Sequence, residues 1–412
     1  MSTDAAARSA PTRLARLVTG GLAAASFGMG VLVAADGTVG WRLVRVAAVL
    51  VLALLCHAAH RRNRILPTLL CGMVVLATSV GFLPHRAGSL SLLGIAAPAT
   101  AAASLALVVM ATIGVVERRR LLGRVGGVAG SLVALLVVAS VVTPAVVATN
   151  VAERPIGDTP ATRGLEYEDV WMVAGDGTRL AGWYVPSTNR AAVILRHGAG
   201  STRSSVLDQA GVLARHGYGV LLTDARGHGE SQGRAMDFGW NGDTDIAAAT
   251  AFLASRPEVD PDRIGIVGLS MGGEEAIGAA GSNHLLRAVV AEGATARTAG
   301  DKTWLEDRYG LRGRLQVQIE RLQYGLTDLL TELEPPTTLR EAVHESEAEF
   351  LLVTAGTMAD ERHAARHIAS AAPQRVHIWN VEGSGHTRGL ATDPAGWERT
   401  VVGFLDRHLG DR

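Results

Sequence analysis

The stretch Gly268-Leu269-Ser270-Met271-Gly272-Gly273 decides how this chain is read. It has the form Gly-x-Ser-x-Gly of a nucleophile elbow. The run before it, Arg263-Ile264-Gly265-Ile266-Val267, is short and apolar and predicts a buried strand; the run after it, Glu274-Glu275-Ala276-Ile277-Gly278-Ala279-Ala280, predicts a helix. A serine hydroxyl is a poor nucleophile until a base takes its proton and its oxygen stands clear of the backbone. The sharp turn exposes the oxygen but forces a strained φ/ψ. Glycines at 268 and 272 remove the Cβ atoms that would collide there. An ordinary Gly-rich turn with a surface serine has the same six letters, so the rest of the chain must separate the two readings.

Outward from the elbow, a domain over residues 164–412 alternates short apolar runs with amphipathic ones. Strands are predicted at 170–174 and 179–185, a hairpin about Asp176-Gly177, and at 192–196, 219–223, 264–268, 288–291, 350–354 and 376–379. Helices are predicted at 206–215, 245–255, 274–280, 360–371 and 397–409. Such alternation implies an α/β domain with a mainly parallel sheet covered on both faces, and ligands of such sheets bind beyond the carboxyl ends of the strands. An insertion at 298–349 breaks the pattern. In it Leu315, Ile319 and Leu322, then Leu326, Leu329 and Leu330, recur at helical spacing, and Pro335-Pro336 ends the stretch. It reads as a small helical lid over the site or as an excursion packed on the sheet edge. Its Trp304 and Tyr309 line an apolar pocket on the first reading and are core on the second.

The other chemistry-bearing motifs follow strand ends. Arg196-His197-Gly198-Ala199-Gly200 follows one central strand, and in hydrolases of this layout that loop supplies one backbone N–H of an oxyanion hole. Ala199 is the candidate there, and Met271, directly after the serine, supplies the second. His197 reads as a loop-shaping residue. The loop Asp224-Ala225-Arg226-Gly227-His228-Gly229-Glu230-Ser231 reads as scaffold. A base that reaches Ser270 is expected from Gly383-Ser384-Gly385-His386-Thr387, after the last strand, which makes His386 the candidate. The acid that orients it should follow the strand at 350–354. Asp360 is the first carboxylate there and is placed ahead of the adjacent Glu361; Glu382 lies too close to His386 in sequence.

The order Ser270, Asp360, His386, the elbow, the His197-Gly198 loop and the Asp224-x-Arg-Gly-His-Gly-x-Ser run together resemble the α/β-hydrolase superfamily, and more narrowly its serine esterase, lysophospholipase and aminopeptidase-like branch. The resemblance covers about residues 165–412. In that superfamily the acid usually stands three residues after the glycine that ends its strand, whereas Asp360 stands four after Gly356, so the choice between Asp360 and Glu361 stays open. A serine at position 270 sets the chain apart from dehalogenase-like relatives, which carry Asp there.

The first 150 residues are another kind of polypeptide. Five long apolar runs, at 17–35, 43–59, 65–83, 90–116 and 125–149, approach or exceed the ~20 residues that cross a bilayer core. Arg42 and Arg45 at the start of the second run can snorkel to headgroups beside Trp41, and Pro98 and Pro144 kink the fourth and fifth. Arg8, Arg13 and Arg16, then Arg61, Arg62 and Arg64, then Arg118, Arg119, Arg120 and Arg124 occupy alternate loops, leaving Arg42, Arg45 and Arg86 for the others. By the positive-inside rule the N-terminus is cytoplasmic and the domain after a linker at 151–163 is extracytoplasmic. No carboxylate lies at depth in the runs, which argues against a transporter.

A net charge of zero hides the asymmetry: residues 1–150 hold thirteen arginines, no lysine and three carboxylates, a net of +10, and the remainder is −10. The arginines flank spans and the soluble part is acidic, so a nucleic-acid role has little support. Cys56 and Cys71, both in apolar runs, offer neither a disulfide framework nor metal spacing. The expectation is therefore a membrane-anchored serine hydrolase acting on a small or lipid-like acyl ester or thioester, with peptide hydrolysis as the second reading and no metal or organic cofactor implied. The rival from another class is a membrane scaffold or signalling protein whose hydrolase-like domain only binds.

Overall fold

The computed structural model describes residues 13–410 apart from 35–38, 62–64, 87–90, 118, 151–154, 234–235 and 332. Arg8, Arg62, Arg64 and Arg118 of the arginine clusters, and residues 151–154 of the expected linker, lie outside them. Two units divide the chain, Met1–Val147 and Ala148–Arg412.

The first unit contains five helices: α1 (Arg13–Ala34), α2 (Val39–Arg61), α3 (Ile65–Arg86), α4 (Leu92–Val116) and α5 (Leu121–Ala148). Among the described residues, three stretches are long and apolar enough to cross a membrane: Ile65–Pro84, Leu92–Val116 and Leu121–Ala148. All five expected runs are helical, and these three meet the length and hydropathy of a span. The apolar part of α1, Leu17–Val33, is shorter, and α2 carries Arg42, Arg45 and Arg61 near its ends. On α4 a stripe of mostly small residues, Ala97, Thr100, Ser104, Leu107, Val108 and Ala111, is buried against neighbouring helices, while Ile95, Leu105, Val109 and Ile113 face outward. Small residues inside and branched apolar residues outside is the pattern of helices packed in a lipid-like surround.

In the second unit, β1 (Glu168–Val173) and β2 (Arg179–Val185) form the expected antiparallel hairpin. Next come β3 (Ala192–Arg196), α6 (Leu207–Arg215), β4 (Gly219–Thr223), α7 (Gly242–Ala254), β5 (Ile264–Leu269), α8 (Met271–Ala280) and β6 (Leu286–Glu292). The sheet order is β1-β2-β4-β3-β5-β6, continued by β7 (Glu349–Ala355) and β8 (Val376–Val381); β2 pairs antiparallel with β4, and the six strands from β4 to β8 in that order run parallel to one another. Because side chains alternate along a strand, the central apolar runs feed two cores. Ile194, Ile266 and Val289 face one side with Ala276, Ile277 and Ile246, and Val193, Val267 and Val290 face the other with Leu213, Phe404 and Leu405. Residue 156 and the turn Pro160–Arg163 are docked, not free: Ile156 packs on the second core, Gly157 N–H donates to Ser204 Oγ at 3.1 Å, and Arg163 binds Asp208 on α6.

The insertion is helical: α9 (Trp304–Tyr309), α10 (Leu311–Leu330) and α11 (Leu339–Glu345). Its inward face differs from the one the leucines marked. Gly313, Val317, Glu320, Tyr324 and Thr327 are buried, whereas Leu315, Leu322 and Leu329 are exposed. Trp304 packs with Leu305, Val317 and Ala364 as core. After β7 comes α12 (Ala359–Ala369), and after β8 come α13 (Gly389–Thr392), α14 (Pro394–Trp397), a π-helical turn at Glu398–Val402 and α15 (Gly403–Leu409).

At the carboxyl ends of β3 and β4 lies a buried charge network. Arg196, 1% exposed, donates from Nε to Glu275 Oε2 at 2.5 Å and from Nη2 to Asp245 Oδ2 at 3.3 Å; Asp245 also takes Arg226 at 2.7 Å. Burial pushes the Glu275 carboxyl up to about 7 against the pull of the Arg196 guanidinium. Breaking such a pair on one side strands the other charge. Arg196→Ala is therefore expected to destabilise this unit by about 3–5 kcal/mol. Arg287→Ala, which removes a surface pair with Asp262, is expected to cost less than about 1 kcal/mol. Unfolding midpoints of the full-length variants check both.

Candidate active site

β5 ends in the elbow. Ser270 has φ 53° and ψ −121°, a region non-glycine residues rarely occupy, and the turn is clamped on both sides. A Cβ on Gly268 would collide with the Gly272 carbonyl, and one on Gly272 would stand 2.6 Å from the carbonyl oxygens of Arg196 and His197. Ser270 N–H donates to the Glu292 carbonyl of β6 at 2.7 Å, and α8 starts at once after the serine. The hydroxyl is thereby held above the sheet end, beside the first turn of a helix.

The loop after β8 delivers His386. Its Nε2 lies 2.9 Å from Ser270 Oγ and its Nδ1 lies 2.6 Å from Glu361 Oε1. A carboxylate at Nδ1 makes that nitrogen the N–H donor, which leaves Nε2 as acceptor for the serine hydroxyl. The histidine side chain is 45% exposed and reachable, while the glutamate is 3% exposed and fixed. The second glutamate oxygen accepts Ala355 N–H at 2.8 Å. The hydrogen bond to Glu361 raises the imidazole above its ordinary 6.5, against the desolvation that lowers it.

Asp360 is not part of this arrangement, which corrects the order of preference between the two neighbours. It is exposed, and its Oδ1 accepts the Tyr309 hydroxyl at 2.8 Å. Adjacent residues on a helix diverge by about 100°. Glu361 shares the buried face of α12 with Ala364, Ala365 and Ile368, and Asp360 does not. That i, i+3, i+4, i+7 pattern is the signal in the sequence that separates them.

The two oxyanion candidates sit beside the serine. Met271 is the first residue of α8, where amide groups have no intrahelical acceptor, and Ala199 is exposed in the wall of a cavity of about 370 Å³. Gly198, Ser201, Ser205, Gln209, Leu269 and Thr387 complete that wall round Ser270 and His386; no described residue of the 298–349 insertion lines it. His197 is fully buried: its Nε2 accepts Ala225 N–H at 2.9 Å and its Nδ1–H donates to Gly198 O at 2.8 Å. Burial first, and then the neighbouring His228, hold it well below the usual imidazole range, so it is a neutral brace. His228 braces the same loop by accepting Gly200 N–H at 3.0 Å. In the scaffold loop, Asp224 accepts the amide groups of Arg203 and Glu230 and pairs with the Arg203 guanidinium.

Glu292, like Glu275, is a supporting residue with no sequence signal. Glu292 ends β6, is 3% exposed, and accepts Gly389 N–H at 2.7 Å and Trp397 Nε1–H at 3.3 Å. It thus ties the histidine loop to the strand that also holds the Ser270 amide. Burial raises its carboxyl.

Comparison with known proteins agrees with this architecture. Residues 187–328 match the Hydrolase_4 family, described as serine aminopeptidase, S33. An uncharacterized protein of Mycobacterium tuberculosis is 38% identical over 115 residues, 27% of this chain and 40% of the relative. The thiohydrolase aneE of Aspergillus aculeatus is 34% identical over 128 residues, 30% of this chain and 40% of the relative. These matches thus span well under half of either relative. Among solved structures, the Pyrococcus furiosus esterase Pf2001 superposes with a TM-score of 0.51 and 24% identity, covering 64% of this chain and 98% of that chain.

The link between Glu361 and His386 has a direct readout. In full-length protein with isotopically labelled histidine, the imidazole of His386 is expected to titrate above 6.5; Glu361→Gln should lower that midpoint, and Asp360→Asn should leave it in place. With sheet order and structural likeness in agreement, the second unit has the α/β-hydrolase fold.

Proposed function

We propose that the protein is a membrane-anchored serine hydrolase that cleaves carboxylic esters or thioesters through an acyl-enzyme. The observation that carries this reading is the continuous chain from Ser270 Oγ to His386 Nε2 at 2.9 Å and from His386 Nδ1 to Glu361 at 2.6 Å. His386 takes the serine proton as the hydroxyl attacks the carbonyl, and returns it to the leaving oxygen or sulfur. The N–H groups of Met271 and Ala199 receive the charge that grows on the carbonyl oxygen, each worth roughly 10²–10³ in rate. Glu361 keeps the proton on Nδ1 and stabilises the imidazolium. Water then enters through the same histidine and releases the acid.

An ester or thioester is favoured over a peptide by the lining of the site. An aminopeptidase has to hold a protonated amine, and among the described residues the wall of the Ser270 cavity contains no carboxylate. The match to a thiohydrolase and the structural likeness to an esterase support the same choice. The three apolar helices support a membrane anchor, and the arginine clusters support an extracytoplasmic catalytic unit.

A fluorophosphonate probe is expected to label the wild-type chain and not Ser270→Ala; no labelling of folded wild-type protein would favour the scaffold reading. Glu361→Gln is expected to lower kcat by about 10⁴ and to move the acid limb of the pH–rate profile downward, because the neutral imidazole then persists to lower pH. Asp360→Asn should do neither. A protease added outside intact cells should degrade the catalytic unit; protection there, with degradation after permeabilisation, would reverse the orientation.

A further inference from the structure

The cavity at Ser270 does not end at the catalytic groups. Ser205, Gln209 and Thr387 line it and also line a second, larger cavity of about 610 Å³ that runs between α6, the segment at residues 163–165 and the start of α13. Its walls mix apolar groups (Val212, Leu390, Pro394) with three arginines, Arg163, Arg215 and Arg388, against one carboxylate, Asp208. Two of these arginines are engaged: Arg163 with Asp208 at 2.9 Å and Arg215 with Glu398 at 3.6 Å. Arg388 is exposed and, among the described residues, has no carboxylate within ion-pair distance. It stands two residues after His386, on the same loop.

We infer that this groove binds the distal half of the substrate, and that Arg388 receives an anionic group, a carboxylate or a phosphate, carried at the far end of the ester or thioester. The inference rests on the hydrolase reading above and adds the substrate class. Three features combine in it. The groove shares Ser205, Gln209 and Thr387 with the cavity of the reacting serine, its size is that of a small-molecule site, and its charge excess is cationic in a domain that is net acidic. A guanidinium presents a rigid fork that matches carboxylate and phosphate oxygens. The apolar wall suits the alkyl segment between that anion and the scissile carbonyl. An anion docked at Arg388 fixes the ester relative to His386 through one short loop, so binding energy remote from the reacting carbon orients it.

The test uses the full-length chain in detergent and two substrate arms, each with a neutral isostere: 4-nitrophenyl hemi-esters of dicarboxylic acids against 4-nitrophenyl alkanoates of equal length, and 2-acyloxyethyl phosphates against the corresponding methyl ethers. The first arm places the anion on the acyl side, the second on the alcohol side. The anionic member of one arm is expected to have about tenfold higher kcat/KM than its isostere. That ratio should fall toward one in Arg388→Ala, be largely kept in Arg388→Lys, invert in Arg388→Glu, and shrink as salt is raised. Ratios near one in both arms, or a ratio that Arg388→Glu does not change, would overturn the inference while neutral-ester turnover and fluorophosphonate labelling left the hydrolase reading standing. Loss of labelling in the wild type would instead remove the reading on which it rests.

Discussion

The whole site depends on one backbone constraint: Ser270 is held at positive φ between β5 and α8, which approach too closely for a side chain at 268, while the end of β3 leaves no room for one at 272. Such a conformation costs of order 1–3 kcal/mol and persists only where the surroundings over-determine it. Here they do. The serine amide is bonded to the β6 carbonyl of Glu292, its carbonyl accepts the amides of Gly273 and Glu274, and Gly272 is pressed on the end of β3. The same contact that forces glycine at 272 places the loop after β3 beside Ser270, so the strain and the site's geometry have a common origin.

Two buried carboxylates then extend the constraint to the loops. Glu275, one turn into α8, holds Arg196 at the root of the Ala199 loop. Glu292, at the end of β6, holds the start of α13 just beyond His386. Each lies on an element adjoining the serine, and each is bonded to a loop that carries another member of the site. A fixed loop matters because a preorganised donor or base does not have to be reoriented as the reaction proceeds. Burying these carboxylates raises their proton affinity, and the arginine and amide donors work against that rise.

The sheet was legible because apolar runs in a doubly covered parallel sheet are nearly continuous: the limits read for β2, β3 and β4 coincide with the observed strands, and those of the other strands fall within two residues. The elbow, His386 and the His197 loop were legible from glycine spacing and from their place after strands. The acid was not. Motif order points to the first carboxylate after β7, but the helix begins at Ala359, and its phase turns Asp360 to solvent and Glu361 to the histidine. The leucines of α10 misled for the same reason, since periodicity marks a stripe without saying which side of the helix is covered. Glu292 and Glu275 carry no sequence signature at all, because a buried charge is recognised only by the partners that satisfy it.

Charge, finally, is distributed on a finer scale than either half of the chain reveals. The residues after 150 sum to −10, a field that on average repels anions. Beside Ser270 the sign reverses. Arg196 and Arg226 are consumed internally by Asp245, Glu275 and Asp176, and Arg203 by Asp224 and Glu230, so none of the three adds free charge to the site. The groove next to the serine keeps Arg388 uncommitted. A lone cation in an otherwise acidic surround attracts over short range only, within roughly a Debye length of about 8–10 Å. It therefore acts on a ligand already in the groove and contributes little to capture from a distance. That places its effect in orientation of the bound substrate, the same step that the strained serine and the two buried carboxylates serve from the protein's side.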